Sequence, residues 1–173
     1  GDDHTLDLHG PTACEILSPK AHRDLLNRLG PDPLCADADP EAAWSRISKS
    51  RAAIGKLLLD QSVIAGIGNV YRAELLFAQG MHPERTGRSL TREEFDELWT
   101  TICHWMAIGA RNNRIITTAD ELGKSPSRIA KAERLAIYKK DFCNRCQSRV
   151  ESWPLAGRTI YACPLCQASP CER

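Results

Sequence analysis

The protein has 173 residues, of which 42% are hydrophobic and 26% charged, and its formal net charge at neutral pH is +1. This length allows one medium domain or two small ones, and the composition is that of an ordinary soluble protein. No apolar run approaches the roughly 20 residues that cross a bilayer, and no signal peptide is visible. We therefore expect no membrane association and a place in the cytosol.

The near-neutral total hides two regions of opposite charge. Residues 1–41 contain nine acidic and three basic side chains, a net charge of −6, whereas residues 42–173 contain 13 acidic and 20 basic ones, a net charge of +7. A basic body suits a polyphosphate partner. The charge pattern therefore keeps nucleic acid among the candidate ligands.

The first eighteen residues predict strands. Leu6–His9 and Cys14–Leu17 alternate between apolar and polar residues, with Gly10 and Pro11 between them as a turn. Two short strands cannot bury a core by themselves. Either they pack on the helices that follow or, as we expect, the chain begins inside a larger sheet whose front part is missing.

Two short helices are predicted next. Ser18 is the N-cap and Pro19 the first residue of a helix over residues 19–29. Asp39, followed by Pro40, predicts the start of the second helix. The buried side of the first helix is assigned to three leucines: Leu25, Leu26 and Leu29.

The stretch from Ile54 to Phe77 is apolar but is interrupted once, by Gly66-Ile-Gly68-Asn69. Glycines two residues apart allow positive φ and a close approach of the backbone to a ligand. The turn leads into a helix N-terminus, whose free N–H groups and dipole attract anions. The pattern predicts either a phosphate-binding turn, with Asn69 adding its amide, or a plain turn between two helices.

The longest predicted helix covers residues 91–111. Thr91 and Glu94 predict a capping box at its start, and apolar residues at helical spacing predict a core stripe along it. Residues 111–140 contain eight Lys and Arg against three Asp and Glu, with a short helix predicted over 127–136. This charge is either a solvated face or a flank that contacts a nucleic-acid backbone.

Two Cys-x-x-Cys pairs, separated by sixteen residues, have the spacing of a structural zinc site. The sixteen residues suffice for two strands and a loop with Arg158 at its tip. We expect one zinc ion; two disulfides or four unrelated thiols are the alternatives. The predicted ligands are Cys143, Cys146, Cys163 and Cys166. The remaining cysteines need no bridge, which favours a reducing cytosol: Cys14, Cys35, Cys103 and Cys171.

A glycine-rich helical hairpin, a basic linker and a four-cysteine hairpin, in this order, resemble the C-terminal part of the formamidopyrimidine-DNA glycosylase/endonuclease VIII family. The resemblance runs from roughly residue 29 to Gln167. It is carried by Leu58–Tyr71, Glu74–Phe77, Gly80–Pro83, the two cysteine pairs, Gly157–Thr159 and Gln167.

The resemblance implies a mainly α fold. It assigns residues 19–140 to a helix-two-turn-helix (H2TH) DNA-binding domain, 141–173 to a zinc-bound β-hairpin, and 1–18 to the last strands of an N-terminal β-sandwich. It also implies a monomeric DNA glycosylase and abasic-site lyase of base excision repair, which extrudes the damaged nucleotide from double-stranded DNA. Within the family we favour the endonuclease VIII branch, which acts on oxidised pyrimidines.

The resemblance also implies DNA-contacting residues. The turn residues Gly66, Gly68 and Asn69 match the phosphate-binding hairpin of the family. Arg158 matches an arginine assigned to phosphate contact and to δ-elimination, and because arginine rarely gives up its proton we credit it mainly with binding phosphates. A phosphate-contacting lysine of some members falls at Gly55, next to Lys56.

The catalytic residues of the family have no counterpart here. Family members begin with Pro-Glu, whose proline amine forms a Schiff base with the sugar, whereas this sequence begins with Gly1-Asp2. We expect a C-terminal fragment that binds DNA and excises nothing. A non-catalytic zinc-containing nucleic-acid-binding module and a zinc-bound protein-interaction domain are the other readings of the same motifs.

Overall fold

The computed structural model of the protein describes residues 15–168. Its helices are α1 (Pro19–Leu26), α2 (Pro40–Ile47), α3 (Ile54–Leu57), α4 (Asn69–Ala78) and α5 (Arg92–Asn112), and its strands are β1 (Glu151–Leu155) and β2 (Arg158–Ala162). The mainly helical prediction is confirmed. Of the strands predicted near the start, Leu6–His9 and Cys14 lie outside the described residues, and residues 15–17 are wrong as a strand because they form no regular structure. Within the described range, no helix is both long and apolar enough to cross a membrane.

The predicted helix starts are confirmed by their capping hydrogen bonds. Ser18 Oγ accepts from the backbone N–H of Ala21, and Asp39 Oδ1 accepts from that of Glu41. Thr91 and Glu94 form both halves of a capping box at the start of α5. Each of these contacts satisfies a backbone donor that has no partner within its helix, which stabilises the helix by about 1 kcal/mol.

The buried side predicted for α1 is wrong. The helix ends at Leu26, so Leu29 lies beyond it. The three leucines assigned to the buried side, Leu25, Leu26 and Leu29, are 40%, 50% and 41% exposed. Helical spacing indicates which side chains share a face, but it does not say whether another element covers that face. None of the residues of α1 is buried within the described structure.

The helix predicted over residues 127–136 is also wrong. This segment forms two separate 3₁₀ turns, Pro126–Arg128 and Lys131–Glu133. The backbone N–H of Ala136, the last residue of the segment, binds the side chain of Glu74 on α4, as do those of Ile137 and Tyr138 just beyond it. A long-range partner has therefore fixed the C-terminal end of the segment and taken one donor that a helix would have used.

Two clusters of buried side chains organise the molecule. The larger lies between α2, α3, α4 and α5, and it includes the predicted apolar stripe of α5: Phe95, Leu98, Ile102, Trp105 and Met106. The smaller attaches the β-hairpin to α4: Ala73, Phe77, Ala136, Ile137, Cys143, Ile160 and Cys163. Burying one large aliphatic side chain stabilises a fold by about 1.5–3 kcal/mol, so the second cluster fixes the hairpin against the helices.

The hairpin strands β1 and β2 are antiparallel, and Leu155 pairs with Arg158 at their closed end. The connecting residues Ala156 and Gly157 both have positive φ, 55° and 74°. Two consecutive positive φ values match the right-handed twist of a two-residue hairpin. The turn therefore places Arg158 at the tip, as predicted.

Candidate nucleic-acid interface and metal centre

The four cysteines of the two pairs converge at the base of the hairpin. Their Sγ atoms all lie within 4.8 Å of one another. The Cys143–Cys166 and Cys146–Cys163 sulfur distances are 3.9 and 3.4 Å. A disulfide would need about 2.05 Å, whereas zinc with four bonds of about 2.3 Å holds its sulfurs about 3.8 Å apart. The geometry fits a tetrahedral metal ion and not a pair of disulfides.

The protonation of this cluster points to a cation. Burial and the neighbouring thiols raise the pKa of Cys166 to about 12. A hydrogen bond from Ser148 lowers the pKa of Cys146 to about 6. Four thiolates this close would repel one another, so a divalent ion bound among them would be needed to keep all four deprotonated at neutral pH. The donor set of four sulfurs suits zinc.

Gln167, which belongs to the family motif but has no role predicted from the sequence, ties the metal centre to the helical part. Its Oε1 accepts from the N–H of Cys163 at 2.9 Å, and its Nε2 donates to the carbonyl of Met81 at 2.9 Å. The side chain is fully buried. It therefore fixes the second cysteine pair against the loop that follows α4.

The glycine turn before α4 is held in shape by Gln61. Its Oε1 accepts from the N–H of Gly66 at 2.8 Å, and its Nε2 donates to the carbonyl of Ile67 at 3.0 Å. Gly66 has φ +84°, as predicted, whereas Gly68 has φ −103°. A Cβ atom at Gly68 would meet no atom of the protein within 4 Å. The space over Gly68 is therefore open to a ligand.

The N-terminus of α4 opens onto the same space. Gly68 is its N-cap, and no side chain among residues 15–168 accepts a hydrogen bond from the first turn. The N–H groups of Asn69 and Val70 have no acceptor within the helix, and together with the helix dipole they favour an anion. The turn thus presents free backbone donors to open space, and phosphate binding there stays a prediction.

Asn69 connects this turn to the hairpin. Its Nδ2 donates to the carbonyl of Thr159 on β2 at 2.9 Å, and its Oδ1 accepts from Arg72 at 2.6 Å. The second N–H of the same amide takes part in neither contact, because a primary amide has two donors. The glycine turn and the Arg158 tip therefore lie side by side.

Arg72 is a functional candidate that the sequence analysis missed. Its side chain is 0% exposed, and besides Asn69 it donates to the carbonyls of Gly55, Leu155 and Arg158 at 3.2, 3.0 and 3.3 Å. Burial, with a smaller effect of the charge of Arg158, lowers its pKa to about 10, so it stays charged at neutral pH. The sequence held a signal of its burial: Arg72 precedes Leu75 by three positions, and helical spacing puts two such residues on the same face of α4.

The surface around Arg72 and Arg158 carries uncompensated positive charge. Among the described residues, neither arginine forms an ion pair with a carboxylate. The Arg158 side chain is exposed, and its positive charge contributes, after burial, to lowering the pKa of Arg72. Two neighbouring guanidinium groups without a counter-ion attract anions, and guanidinium suits phosphate in particular.

The structure also separates Gly55 from Lys56. A Cβ at Gly55 would lie 2.8 Å from Leu155 Cδ2 and 3.0 Å from the carbonyl oxygen of Pro83, so no lysine fits there. Lys56 is exposed on α3, next to the Gly55 carbonyl that binds Arg72. Lys56 is thus the lysine that lies next to the hydrogen bonds of Arg72.

Glu74, another residue without a predicted role, anchors the end of the basic linker. Its carboxylate is 1% exposed and accepts from Thr117 Oγ1 and from the N–H groups of Ala136, Ile137 and Tyr138 at 2.6–2.9 Å. A buried carboxylate needs such donors because its desolvation is costly. The linker is thereby fixed to α4 beside the hairpin.

Residues 29–120, just over half of the chain, match the family model described as the formamidopyrimidine-DNA glycosylase H2TH domain. The chain belongs to this family. Over 170 residues it is 43% identical to endonuclease 8 1 of Mycobacterium tuberculosis, covering 96% of this chain and 63% of that protein. It is 36% identical to the formamidopyrimidine-DNA glycosylase of Chloroflexus aurantiacus, covering 96% of this chain and 56% of that protein.

Solved structures of family members share the fold. The MutM (Fpg) protein of Thermus thermophilus superposes with a TM-score of 0.71 at 30% identity, covering 88% of this chain and 58% of that one. Lactococcus lactis Fpg, in complex with DNA that contains an abasic site, gives 0.65 at 26% identity, covering 86% and 55%. The chain thus spans between 55% and 63% of the length of these four relatives.

Proposed function

We propose that this chain is the DNA-binding portion of a bifunctional DNA glycosylase and abasic-site lyase that removes oxidised bases in base excision repair. The observation that carries the proposal is the hydrogen bond between Asn69 and Thr159, which joins the glycine turn and the arginine tip into one basic surface. Oxidised pyrimidines are the favoured substrates, since the identity to an endonuclease 8 is higher than to a formamidopyrimidine-DNA glycosylase, 43% against 36%.

The surface binds the sugar–phosphate backbone of double-stranded DNA that contains a damaged base or an abasic site. The turn of Gly66, Gly68 and Asn69 at the N-terminus of α4 receives one phosphate on the free N–H groups of Asn69 and Val70, with Gly66 shaping the turn and Gly68 leaving room for the phosphate. Arg158 and Lys56 supply charge, and the fork of Arg158 also stabilises a phosphate that leaves during δ-elimination. Zinc bound to Cys143, Cys146, Cys163 and Cys166 supplies a rigid cross-link at the base of the hairpin.

The 173 residues by themselves bind DNA without excising a base. We assign residues 1–18 to the end of a β-sandwich, 19–140 to the H2TH domain and 141–173 to the zinc hairpin. The protein acts as a monomer in the bacterial cytosol, where reducing conditions leave thiols free for metal.

Fluorescence anisotropy with a labelled duplex containing an abasic-site analogue tests this function, using the zinc-loaded chain over a range of salt concentrations. We expect log affinity to fall linearly with log salt, and Arg158→Gln to weaken binding and to reduce the slope by about 1. Arg111→Gln, on the exposed end of α5, is the charge-matched control. An affinity that changes neither with salt nor in Arg158→Gln contradicts the proposal. Strand nicking at abasic sites by these 173 residues contradicts the expectation that they excise nothing.

A further inference from the structure

A second basic concavity lies on the hairpin, beyond the residues assigned so far. It is a pocket of about 360 Å³ lined mainly by polar groups. Three cations and one anion contribute to it: Lys139, Lys140, Arg149 and Asp141. The side chains of Ser152 and Tyr161, paired across β1 and β2, add two hydroxyl groups. The pocket therefore has a formal charge of +2 together with neutral hydrogen-bond donors.

The charges of this pocket are not neutralised by their surroundings. Within residues 15–168, Lys139, Lys140 and Arg149 form no ion pair, and neither does Asp141. Lys140 Nζ donates at 2.7 Å to the carbonyl of Ala132, a residue outside the pocket, so Lys139 and Arg149 are the cations that stay free for a ligand there. Cations held close together without a counter-ion repel one another unless an anion joins them.

The backbone of Lys139 is strained. Its φ of +56° lies in the left-handed region, which is uncommon for a lysine. The preceding residues Ile137 and Tyr138 are held in place by their N–H bonds to Glu74. A non-glycine residue in this conformation costs about 1–2 kcal/mol. The linker thus turns sharply at Lys139, the first of the residues that line the pocket.

The pocket lies next to the proposed DNA surface, on the other face of the hairpin. Tyr161 follows Thr159 by two residues on β2, so their side chains project from the face opposite to that of Arg158 and the buried Ile160. Thr159 is the residue whose carbonyl binds Asn69, and the two positions are separated by about 7 Å along the strand. The ring of Tyr161 also packs edge-on against Tyr138, with centroids 5.1 Å apart.

We propose that this pocket binds a phosphodiester of the DNA backbone, separate from the phosphates at the α4 turn and at Arg158. Arg149 offers a fork for two phosphate oxygens, Lys139 a point charge, and Tyr161 a hydroxyl donor. A phosphodiester carries one negative charge, which the net charge of the pocket accommodates. The inference rests on the proposed function, because the pocket lies next to the proposed DNA surface.

Duplexes in which one phosphate at a time is replaced by an uncharged methylphosphonate test the site. We expect Arg149→Gln to weaken binding to the unmodified duplex by about three- to tenfold and to reduce the salt slope by about 1. At one position the methylphosphonate should weaken the wild-type protein but not Arg149→Gln. That position should differ from the one at which Arg158→Gln becomes insensitive. Lys139→Asn, which tolerates the left-handed backbone, should share the position of Arg149→Gln.

Controls separate this inference from the proposed function. Arg149→Lys should retain most of the affinity, Arg111→Gln should match the wild type, and all variants should keep one zinc per chain and an unfolding temperature no lower than that of the wild type. If Arg149→Gln and Lys139→Asn bind every modified duplex like Arg111→Gln while Arg158→Gln weakens binding, the pocket is not a phosphate site and the proposed function stands. If Arg158→Gln also binds like the control, both fail.

Discussion

Asn69 and Arg72 share a hydrogen bond of 2.6 Å, from Arg72 Nη2 to Asn69 Oδ1. Because arginine only donates, this contact fixes the orientation of the amide, and Asn69 Nδ2 is directed to the carbonyl of Thr159. A buried charge thus orients the side chain at the front of the proposed DNA surface. The network lies at the junction of the helical part and the zinc hairpin.

This relationship predicts that Asn69→Asp changes stability little but weakens DNA binding strongly. The new carboxylate would form an ion pair with Arg72 but lose the bond to Thr159, so the free energy of unfolding should change by less than about 1 kcal/mol. DNA affinity should fall at least tenfold, since a negative charge would face the phosphates. Urea unfolding and anisotropy measure the two quantities. Equal DNA affinity for the variant and the wild type would remove Asn69 from the interface.

Arg72→Met should destabilise the protein. The change leaves the carbonyls of Gly55, Leu155 and Arg158 without their donor, and each unsatisfied buried group costs about 1–3 kcal/mol. We expect a loss of about 3–5 kcal/mol in urea unfolding.

Arg145→Met is the matched control for Arg72→Met. Arg145 also joins the hairpin to α4, through the carbonyl of Phe77 at 3.0 Å, but it is exposed. Its replacement should cost about 1 kcal/mol or less. Similar losses in the two variants would show that burial of the Arg72 network contributes little.

The two glycines of the turn should respond differently to alanine. Gly66→Ala places a side chain at φ +84° and a Cβ 2.7 Å from Met106 Cε, so we expect a loss of about 1–2 kcal/mol in stability. Gly68→Ala meets no protein atom within 4 Å and needs no positive φ, so stability should stay within about 0.5 kcal/mol. DNA affinity should nevertheless fall for Gly68→Ala, because the new methyl group occupies the space in which a phosphate approaches. Unchanged affinity would place the phosphate elsewhere.

Removal of the metal should loosen the hairpin and leave the helices folded. Trp153 reports this change, because its Nε1 donates to Glu84 at 2.9 Å and its ring stacks on His82 with centroids 5.7 Å apart. We expect a chelator to shift tryptophan emission to longer wavelength with little loss of helical circular dichroism, since the larger core lies outside the hairpin. Trp153→Phe should abolish the shift, which separates it from the signals of Trp44, Trp99 and Trp105. Acidification should release the metal in the same way, because protons compete for the thiolates.

The sequence predicted the features that short spacings encode. The cysteine pairs, the helix caps and the positive φ of Gly66 each follow from residues within a few positions of one another. Arg72 and Glu74 were missed because most of their partners are 43–86 residues away, on the linker and the hairpin. The leucines of α1 were placed wrongly for a related reason: periodicity defines a face, but only the assembled fold shows what covers it.

Glu74→Gln should selectively release the linker. The carboxylate accepts four hydrogen bonds, whereas a glutamine presents an NH₂ group to some of the same donors, and at least one backbone N–H of residues 136–138 loses its acceptor. We expect a loss of about 2–4 kcal/mol, and hydrogen exchange at Ile137 and Tyr138 should accelerate more than exchange within α5. Thr117→Val, which removes only one of the four bonds, should cost about 1 kcal/mol. Equal exchange rates at Ile137 in Glu74→Gln and wild type would contradict the assignment of Glu74 as the anchor of the linker.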